Sequence, residues 1–456
     1  MKLSIIILAA GQGTRMKSRL PKVLHRLAGK PMVEHVYERS RELGAHGIHI
    51  VYGHGGEQLR AACGHFDADW HEQRQQLGTA HAVQQASPVI PDDHVALVLY
   101  GDVPLIETAT LQQLVQSVSG DDVALLTVEL DDPTGYGRIV RDDAGGVVAI
   151  VEHKDASDAQ RAIAEVNTGI LAVRAGYLNA CLARIGNDNA QGEYYLTDLI
   201  ALAVNDGNRI VTTQPQTAAE VEGVNDRIQL ARLERIKQMQ QAEAVMADGV
   251  SLADPSRIDI RGELNAGNDV FIDVDCVFEG EVNIGTGASI GAGCVIRNST
   301  IACDSHIKPY SVIENAIIDK RVEVGPFARI RPGTHLCENS RVGNFVETKN
   351  TVLGKGSKAS HLSYLGDSEI GAEVNIGAGT ITCNYDGANK HQTVIKDGAF
   401  IGSDTQLVAP VTVGKNTTIG AGSTITRDTE DEVLVLSRSK QTSIRGWKRP
   451  VKNRQE

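Results

Sequence analysis

A glycine-bearing stretch near the start, Gly11-Gln12-Gly13-Thr14-Arg15, follows the apolar run 3–8 and precedes Pro21-Lys22. Glycines after a buried strand let backbone N–H groups approach phosphate, and Arg15 and Lys22 add positive charge. This is not a Walker A loop: no Gly-Lys-Ser/Thr follows, and Met16 stands where a third Rossmann glycine would be. A second apolar run ends in an acid, Leu97-Val98-Leu99-Tyr100-Gly101-Asp102, at the place where ligands meet parallel sheets. A carboxylate there can hold a hard divalent cation that shares its other positions with phosphate oxygens. Far downstream, His361 lies close in sequence to cationic and hydroxyl side chains. An imidazole of ordinary pKa, about 6.5, can take a proton from an ammonium group and free the amine to attack.

These residues need scaffolds, and the sequence offers two different ones. Up to about residue 227, apolar runs at 3–8, 48–51, 95–99, 123–128, 147–151 and 170–173 alternate with segments such as 32–43 and 108–117, whose apolar positions recur at helical spacing. That alternation predicts an α/β domain with a mainly parallel, Rossmann-like sheet over 1–227. Residues 226–247 hold no Gly or Pro and put Ile228, Leu233, Ile236 and Met239 near one stripe, which predicts a linking helix, 228–248.

From residue 249 the period becomes six. Ile272, Phe278, Ile284, Ile290 and Ile296 are spaced by six, as are Val312, Ile318, Val324, Ile330, Leu336 and Val342, and Ile395, Ile401, Leu407, Val413, Ile419 and Ile425. Gly often follows the aliphatic residue, as at Gly285, Gly291, Gly377 and Gly402. Three hexads closing a triangular coil bury one aliphatic per side, so 249–456 reads as a parallel β-helix of about ten coils, on the order of 50 Å long. The glycines are expected to meet the corners' demand for unusual φ. The series is expected to break at 357–368 and at 382–392, and insertions in repeat proteins often build a binding face.

Composition sets outer limits. The chain has 456 residues, with 45 Lys and Arg against 57 Asp and Glu, a formal charge of −12. Such a balance excludes an unassisted electrostatic grip on nucleic acid or an anionic membrane. No run approaches the roughly 18 apolar residues of a membrane span, and no signal-peptide pattern follows 3–10, so a cytoplasmic protein is expected. Seven scattered cysteines with no C-x-x-C read as buried small hydrophobes.

The first half resembles the nucleotide-sugar pyrophosphorylases, through Leu8, Gly11, Gly13-Thr14-Arg15-Met16 and Pro21-Lys22. Gln73, Gln76-Leu77-Gly78-Thr79, Tyr100-Gly101-Asp102, Gly135-Tyr136-Gly137-Arg138, Glu152-His153-Lys154, Asn167-Thr168-Gly169 and Glu222-Gly223-Val224-Asn225 resemble its bacterial UDP-N-acetylglucosamine branch. The resemblance implies uridylyl transfer from UTP to N-acetylglucosamine-1-phosphate with release of pyrophosphate. It assigns Arg15 and Lys22 to phosphates, Gln73, Gly78 and Thr79 to uracil, Gly137, Glu152 and Asn167 to the amino sugar, and Asp102 and Asn225 to Mg²⁺. Leu8, Ala9, Ala10, Gly11, Tyr100 and Gly101 complete that site.

In the second half, Arg329-Ile330-Arg331-Pro332-Gly333, residues 345–350, His361 to Asp367, Asn375 to Gly379 and Thr382 to Gly387 resemble the hexapeptide-repeat acetyltransferases. Both halves in this order resemble one bacterial family of bifunctional uridylyltransferase/acetyltransferases over essentially the whole chain. The resemblance implies a left-handed coil, a homotrimer assembled through the β-helix, and acetyl transfer from acetyl-CoA to glucosamine-1-phosphate with His361 as base. Arg331 and Lys349 would clasp the sugar's phosphate, Tyr364 and Asn375 would orient it, and Ala378, Asn384, Tyr385, Ser403, Ala421 and Arg438 match acetyl-CoA contacts. A basic tail, with Lys440, Arg445, Lys448, Arg449, Lys452, Arg454 and Trp447, is placed to meet the nucleotide end of CoA. The product would feed peptidoglycan and lipopolysaccharide synthesis. The alternatives are a pyrophosphorylase whose β-helix only oligomerises and a non-enzymatic regulatory subunit; His361 and Lys349 argue against the first, and the intact Gly11–Lys22 segment with Asp102 against the second.

Overall fold

The computed structural model describes residues 2–189 and 191–452. The chain divides into two compact units, Met1–Gln240 and Gln241–Glu456. No helix among the described residues is long and apolar enough to cross a membrane.

The first unit is built on a mixed sheet. Its main strands are β1 (Leu3–Ala9), β2 (Gly47–Tyr52), β3 (Asp69–Glu72), β4 (Val95–Tyr100), β5 (Val123–Glu129), β6 (Glu165–Arg174) and β7 (Ile210–Thr213), in the spatial order β7-β5-β6-β4-β1-β2-β3. Only β6 runs against its neighbours; the other pairs along this path are parallel. Strands β1 and β4 are buried along almost their whole length because helices such as Met32–Glu42 and Thr79–Ala86 cover both faces. The order reverses at β1, whose neighbours β2 and β4 leave on either side, and ligands bind at such a switch point.

The helix Arg227–Ala247 carries the chain onward. Leu233 and Ile236 pack with Met16, Leu27, Met32, Leu105 and Val224. Ile228 does not share that stripe; it is exposed, because the buried face begins one turn later.

The second unit is a β-helix. One face is an eleven-stranded, wholly parallel sheet running from Ser251–Leu252 to Leu434–Val435. Most successive strands pair at offsets of 17 or 18 residues, as in Phe271 with Ser289 and Ser289 with His306, so three short strands make each coil. Eleven strands at about 4.8 Å give a prism of roughly 50 Å. The aliphatic column from Ile272 to Ile425 forms one continuous core.

Two expectations about the hexad series require correction. Ile313, not Val312, is the inward residue of its strand, because some corners use five residues rather than six and shift the phase. Residues 357–368 do not interrupt the coils: Ala359 and Leu365 are fully buried and stack on Val342 and Thr348 of the coil before. Polar composition disguised an ordinary coil. Residues 384–392 do leave it, since the pairing jumps from Ser368 to Thr393, while Thr382 and Cys383 stay paired with Leu407 and Val408.

The glycines also act differently. Gly285, Gly377 and Gly402 follow inward aliphatics without positive φ; a Cβ there would lie 2.5 Å from the backbone nitrogen of Cys303, Ser403 and Ala421 respectively, in the next coil. They permit close approach of coils. The left-handed corners lie elsewhere and are filled largely by other residues, among them Asn298, Asn315, Asn339, Asn350 and Asn416. Cys303, Cys337 and Cys383 are not buried, contrary to expectation: Cys337 and Cys383 follow the inward Leu336 and Thr382, and Cys303 sits in a corner between the inward Ile301 and Ser305.

The two kinds of glycine separate in a melting experiment. Gly285→Ala forces neighbouring coils apart and is expected to cost about 1–3 kcal/mol. Gly422→Asn, at φ +71° with open space around it, is expected to stay within about 0.5 kcal/mol of the parent.

Candidate active sites

In the first unit the carboxyl ends of β1 and β4 lie side by side, with Leu8 paired to Tyr100 and the Gly101 N–H donating to the Leu8 carbonyl at 2.9 Å. This register brings Ala9, Ala10 and Gly11 next to Asp102. The Lys22 ammonium forms an ion pair with Asp102 Oδ2, both side chains largely shielded, and lies 3.4 Å from Asn225 Oδ1. Arg15 donates to the same Asn225 oxygen at 2.7 Å. The Val224 N–H donates to the Asp102 carbonyl at 2.9 Å, tying together two segments over a hundred residues apart in sequence. A carboxylate and an amide oxygen thus converge on one point of positive charge. Two hard oxygens with room for phosphate oxygens suit a divalent cation, and Lys22 is the charge that would move aside.

Gln73 is buried, donates to the Gly78 carbonyl at 3.1 Å and lies 3.0 Å from His81 Nδ1. Gly78 sits at φ +115°, and a Cβ there would lie 2.5 Å from the Tyr194 carbonyl oxygen. Only glycine fits. Leu77 and Thr79 are then pinned to the facing segment, Tyr194 N–H donating to Leu77 at 2.8 Å and Leu196 N–H to Thr79 Oγ1 at 3.0 Å. Beside this turn lies a cleft of about 500 Å³ lined by Thr79, Tyr100, Gly137, Glu152 and Asn167. The Asn167 N–H donates to the Gly137 carbonyl at 2.9 Å, so those two residues share one wall. Burial, then the nearby Asp155 and Asp198, push the Glu152 carboxyl above the usual carboxylate range. Burial, Asp102 and Glu152 together keep the Tyr100 hydroxyl protonated. Tyr136, from the Gly135-Tyr136-Gly137-Arg138 motif, also lines this cleft, as do Tyr195 and Thr197, which stand outside any glycine motif and gave no signal.

The second unit puts residues in columns. Asn344 pairs with His361, and the registers of Ala359 with Ile376 and of Ile376 with Ile401 carry that column on to Ala378 and Ser403. Backbone bonds follow the same path: Gly379 N–H to Leu362, Asp404 N–H to Ala378 and Gly422 N–H to Ser403. Ala421 comes next, and Arg438 Nη1 donates to its carbonyl at 2.8 Å. One edge of the prism therefore carries Asn344, His361, Ala378, Ser403 and Ala421 in single coil steps. An amide oxygen can only accept, so His361 Nδ1–H donates to Asn344 Oδ1 at 2.8 Å and Nε2 keeps the lone pair. Asn344 is a second residue that the sequence did not disclose.

A neighbouring column holds the cations. The Arg329–Glu347 pairing sets Arg331 over Lys349, and Glu347 pairs in turn with Tyr364. Arg331 donates to Glu347 at 2.6 Å, which raises its pKa. Tyr364 folds over Gly366, where a Cβ would lie 2.4 Å from its hydroxyl. Lys390, from the excursion 384–392, stands against Lys349 and pushes its ammonium below the ordinary value. Lys390 was missed too. The excursion is organised by Asp386, which accepts from the Ala388 and Asn389 N–H groups and pairs with His391 at 2.7 Å, holding its carboxyl well below the usual range. Asn384 is buried and donates to Asp367, whereas Tyr385 is exposed. Asn375 starts the strand Asn375–Ile376, between Lys358 and Phe400. Trp447, Lys440, Arg445, Lys448, Arg449 and Lys452 are exposed, outside any helix or strand; Arg454 lies outside the described residues.

Comparison with known proteins agrees with this division. Residues 5–165 match the MobA-like NTP transferase domain, 260–343 the GMPPB C-terminal domain and 392–427 six bacterial transferase hexapeptide repeats. The Bifunctional protein GlmU of Marinobacter nauticus is 57% identical over 450 residues, 99% of each chain. A solved nucleotidyl transferase from Methanothermobacter thermautotroptrophicus, at 19% identity, covers 51% of this chain and 96% of its own with a TM-score of 0.38, too slight a likeness to carry weight. Near-complete coverage at that identity means that the chain belongs to the family of bifunctional GlmU proteins, enzymes of UDP-N-acetylglucosamine synthesis that join a nucleotidyltransferase half to a left-handed, hexapeptide-repeat acetyltransferase half.

Proposed function

We propose that the second unit moves the acetyl group of acetyl-CoA onto the amine of glucosamine-1-phosphate, and that the first unit then joins the product to the uridylyl group of UTP, releasing pyrophosphate. The observation that carries the acetyl half is the column at His361. His361 Nε2, its lone pair fixed by the Nδ1–H bond to Asn344, takes a proton from the sugar's ammonium group. The amine attacks the thioester, an N–C bond forms, the C–S bond breaks and CoA leaves as thiol. Ala378, Ser403 and Ala421 offer a track of small residues along which the pantetheine arm lies, with Arg438 and the basic tail towards the nucleotide phosphates. Arg331, Lys349 and Lys390 receive the sugar's phosphate; the repulsion between the two lysines is relieved by an anion.

In the first unit, Lys22 and Arg15 neutralise the triphosphate and Gly11 presents backbone at close range. Gln73, Gly78 and Thr79 read the uracil edge, while Gly137, Glu152 and Asn167 hold the sugar in the cleft. Nucleotidyltransferases of this kind generally use a divalent metal; our reading is Mg²⁺ on Asp102 and Asn225, where it supplies charge neutralisation for the phosphate oxygens. The substrates are small molecules, and GlmU proteins with hexapeptide repeats oligomerise. Three copies side by side is the arrangement we favour. Its support is an exposed ladder of Tyr310, Phe327 and Phe345, stacked 5.2 and 5.4 Å apart at successive corners and continued by exposed Leu362. A cytoplasmic location suits these substrates.

Three outcomes test the assignment. His361→Ala is expected to cut thiol release from acetyl-CoA by about 10²–10⁴-fold and leave pyrophosphate release from UTP unchanged; loss of both activities, or of neither, contradicts the two-site reading. Chelation by EDTA, or Asp102→Asn, is expected to stop pyrophosphate release while thiol release continues. Lys390→Ala is expected to raise the KM for glucosamine-1-phosphate about tenfold with the KM for acetyl-CoA unmoved, as steady-state kinetics with each substrate varied would reveal.

A further inference from the structure

Two successive coils of the β-helix bring three ligand-type side chains together on their outer surface, apart from the residues of either site above. His335 and Cys337 flank the fully buried Leu336, so alternation along the strand turns both of them away from the core. The strand His335–Leu336 lies directly on Ile317–Ile318, and the Asp319 N–H donates to the Leu336 carbonyl at 2.9 Å. Asp319 is thereby set against Cys337 in the neighbouring coil. One ligand atom from each of Asp319, His335 and Cys337 lies within 4.8 Å of the other two.

A second observation points the same way. His335 Nε2 is buried and only 3.1 Å from Asp319 Oδ2, yet it makes no aligned hydrogen bond. The side chain is 39% exposed and the carboxylate is its ion-pair neighbour, so the two ligand atoms already converge where a cation would sit. Glu338, the next residue, is drawn aside by Arg321, Lys320 and Lys355, so it does not compete for the place. An imidazole nitrogen, a thiol sulfur and a carboxylate oxygen are the donor types of tetrahedral zinc, whose ligand atoms stand roughly 3.5 Å apart. Small side-chain rotations close the present triangle to that size.

We propose that Asp319, His335 and Cys337 form a Zn²⁺ site that staples two coils of the β-helix, with water in the fourth position. On binding, the Cys337 S–H bond breaks, its proton passes to solvent and the thiolate sulfur bonds the metal. The charges of Asp319, the thiolate and Zn²⁺ then sum to zero. Thiolate and imidazole ligands distinguish this site from the oxygen pair Asp102 and Asn225, which suits a harder cation.

The test uses the untagged full-length protein, stripped of metal and titrated with Co²⁺ and then Zn²⁺. One equivalent of Co²⁺ is expected to produce a thiolate-to-cobalt charge-transfer absorption that one equivalent of Zn²⁺ removes. Cobalt on the oxygen ligands of Asp102 and Asn225 produces no such absorption, so loading of that site cannot imitate the result. Cys337→Ser and His335→Ala are each expected to abolish the absorption, and Cys383→Ser, at a partly exposed thiol on a later coil, to keep it; circular dichroism melts establish that the variants are folded. Absence of the absorption in the parent protein, or its survival in Cys337→Ser, overturns the proposal.

Discussion

The registered stacking of coils, most of them 17 or 18 residues long, is the constraint on which the acetyl-transfer half depends. Each coil adds one inward aliphatic per side, and burying such a side chain contributes about 1.5–3 kcal/mol. A slip by one residue would turn that whole set outward, so the register is held firmly wherever the column continues. Chemistry follows from the same constraint. Because His361 is locked over Asn344, and Ala378, Ser403 and Ala421 follow at single coil steps, an extended thioester would have a straight path to the base proposed above. The glycines after the inward aliphatics keep that path narrow by letting neighbouring coils touch.

The first unit solves a different problem, the gathering of negative charge. Parallel strands β1 and β4 end together, and the carboxylate at the end of one would repel the triphosphate that the loop after the other is built to hold. Lys22 pairs with Asp102 and so offsets that charge. Arg15 and Asn225 extend the arrangement, so that four side chains from three distant stretches of sequence share one small volume. A divalent cation taken there would shift Lys22 towards phosphate, and the same residues would serve both states.

Legibility in the sequence varied with the kind of physics involved. Alternating apolar runs disclosed the parallel sheet, and the six-residue period disclosed the β-helix, because both reflect burial, which acts on every residue of an element. The motif residues Asp102, Lys22 and His361 stood out through their neighbours. What escaped was whatever depends on contact between distant segments. Asn344 acquires meaning only when the next coil brings His361 over it, and Lys390 only when the excursion at 384–392 folds back against Lys349. Residues 357–368 misled because polar side chains masked the buried Ala359 and Leu365. The glycines misled in a similar way: a need for φ and a need for space give the same letter, and only coordinates separate Gly285 from Gly422.

The central claim is that coil register lays acetyl-CoA along a single edge of the β-helix. Amide hydrogen exchange on the full-length protein, with and without acetyl-CoA, tests it most directly. The account predicts slowed exchange in peptides containing Ala378, Ser403 and Ala421, spaced along the sequence as the coils dictate, and no change around Gly11 or Asp102. Protection confined to the first unit, or spread evenly over all faces of the β-helix, would contradict it.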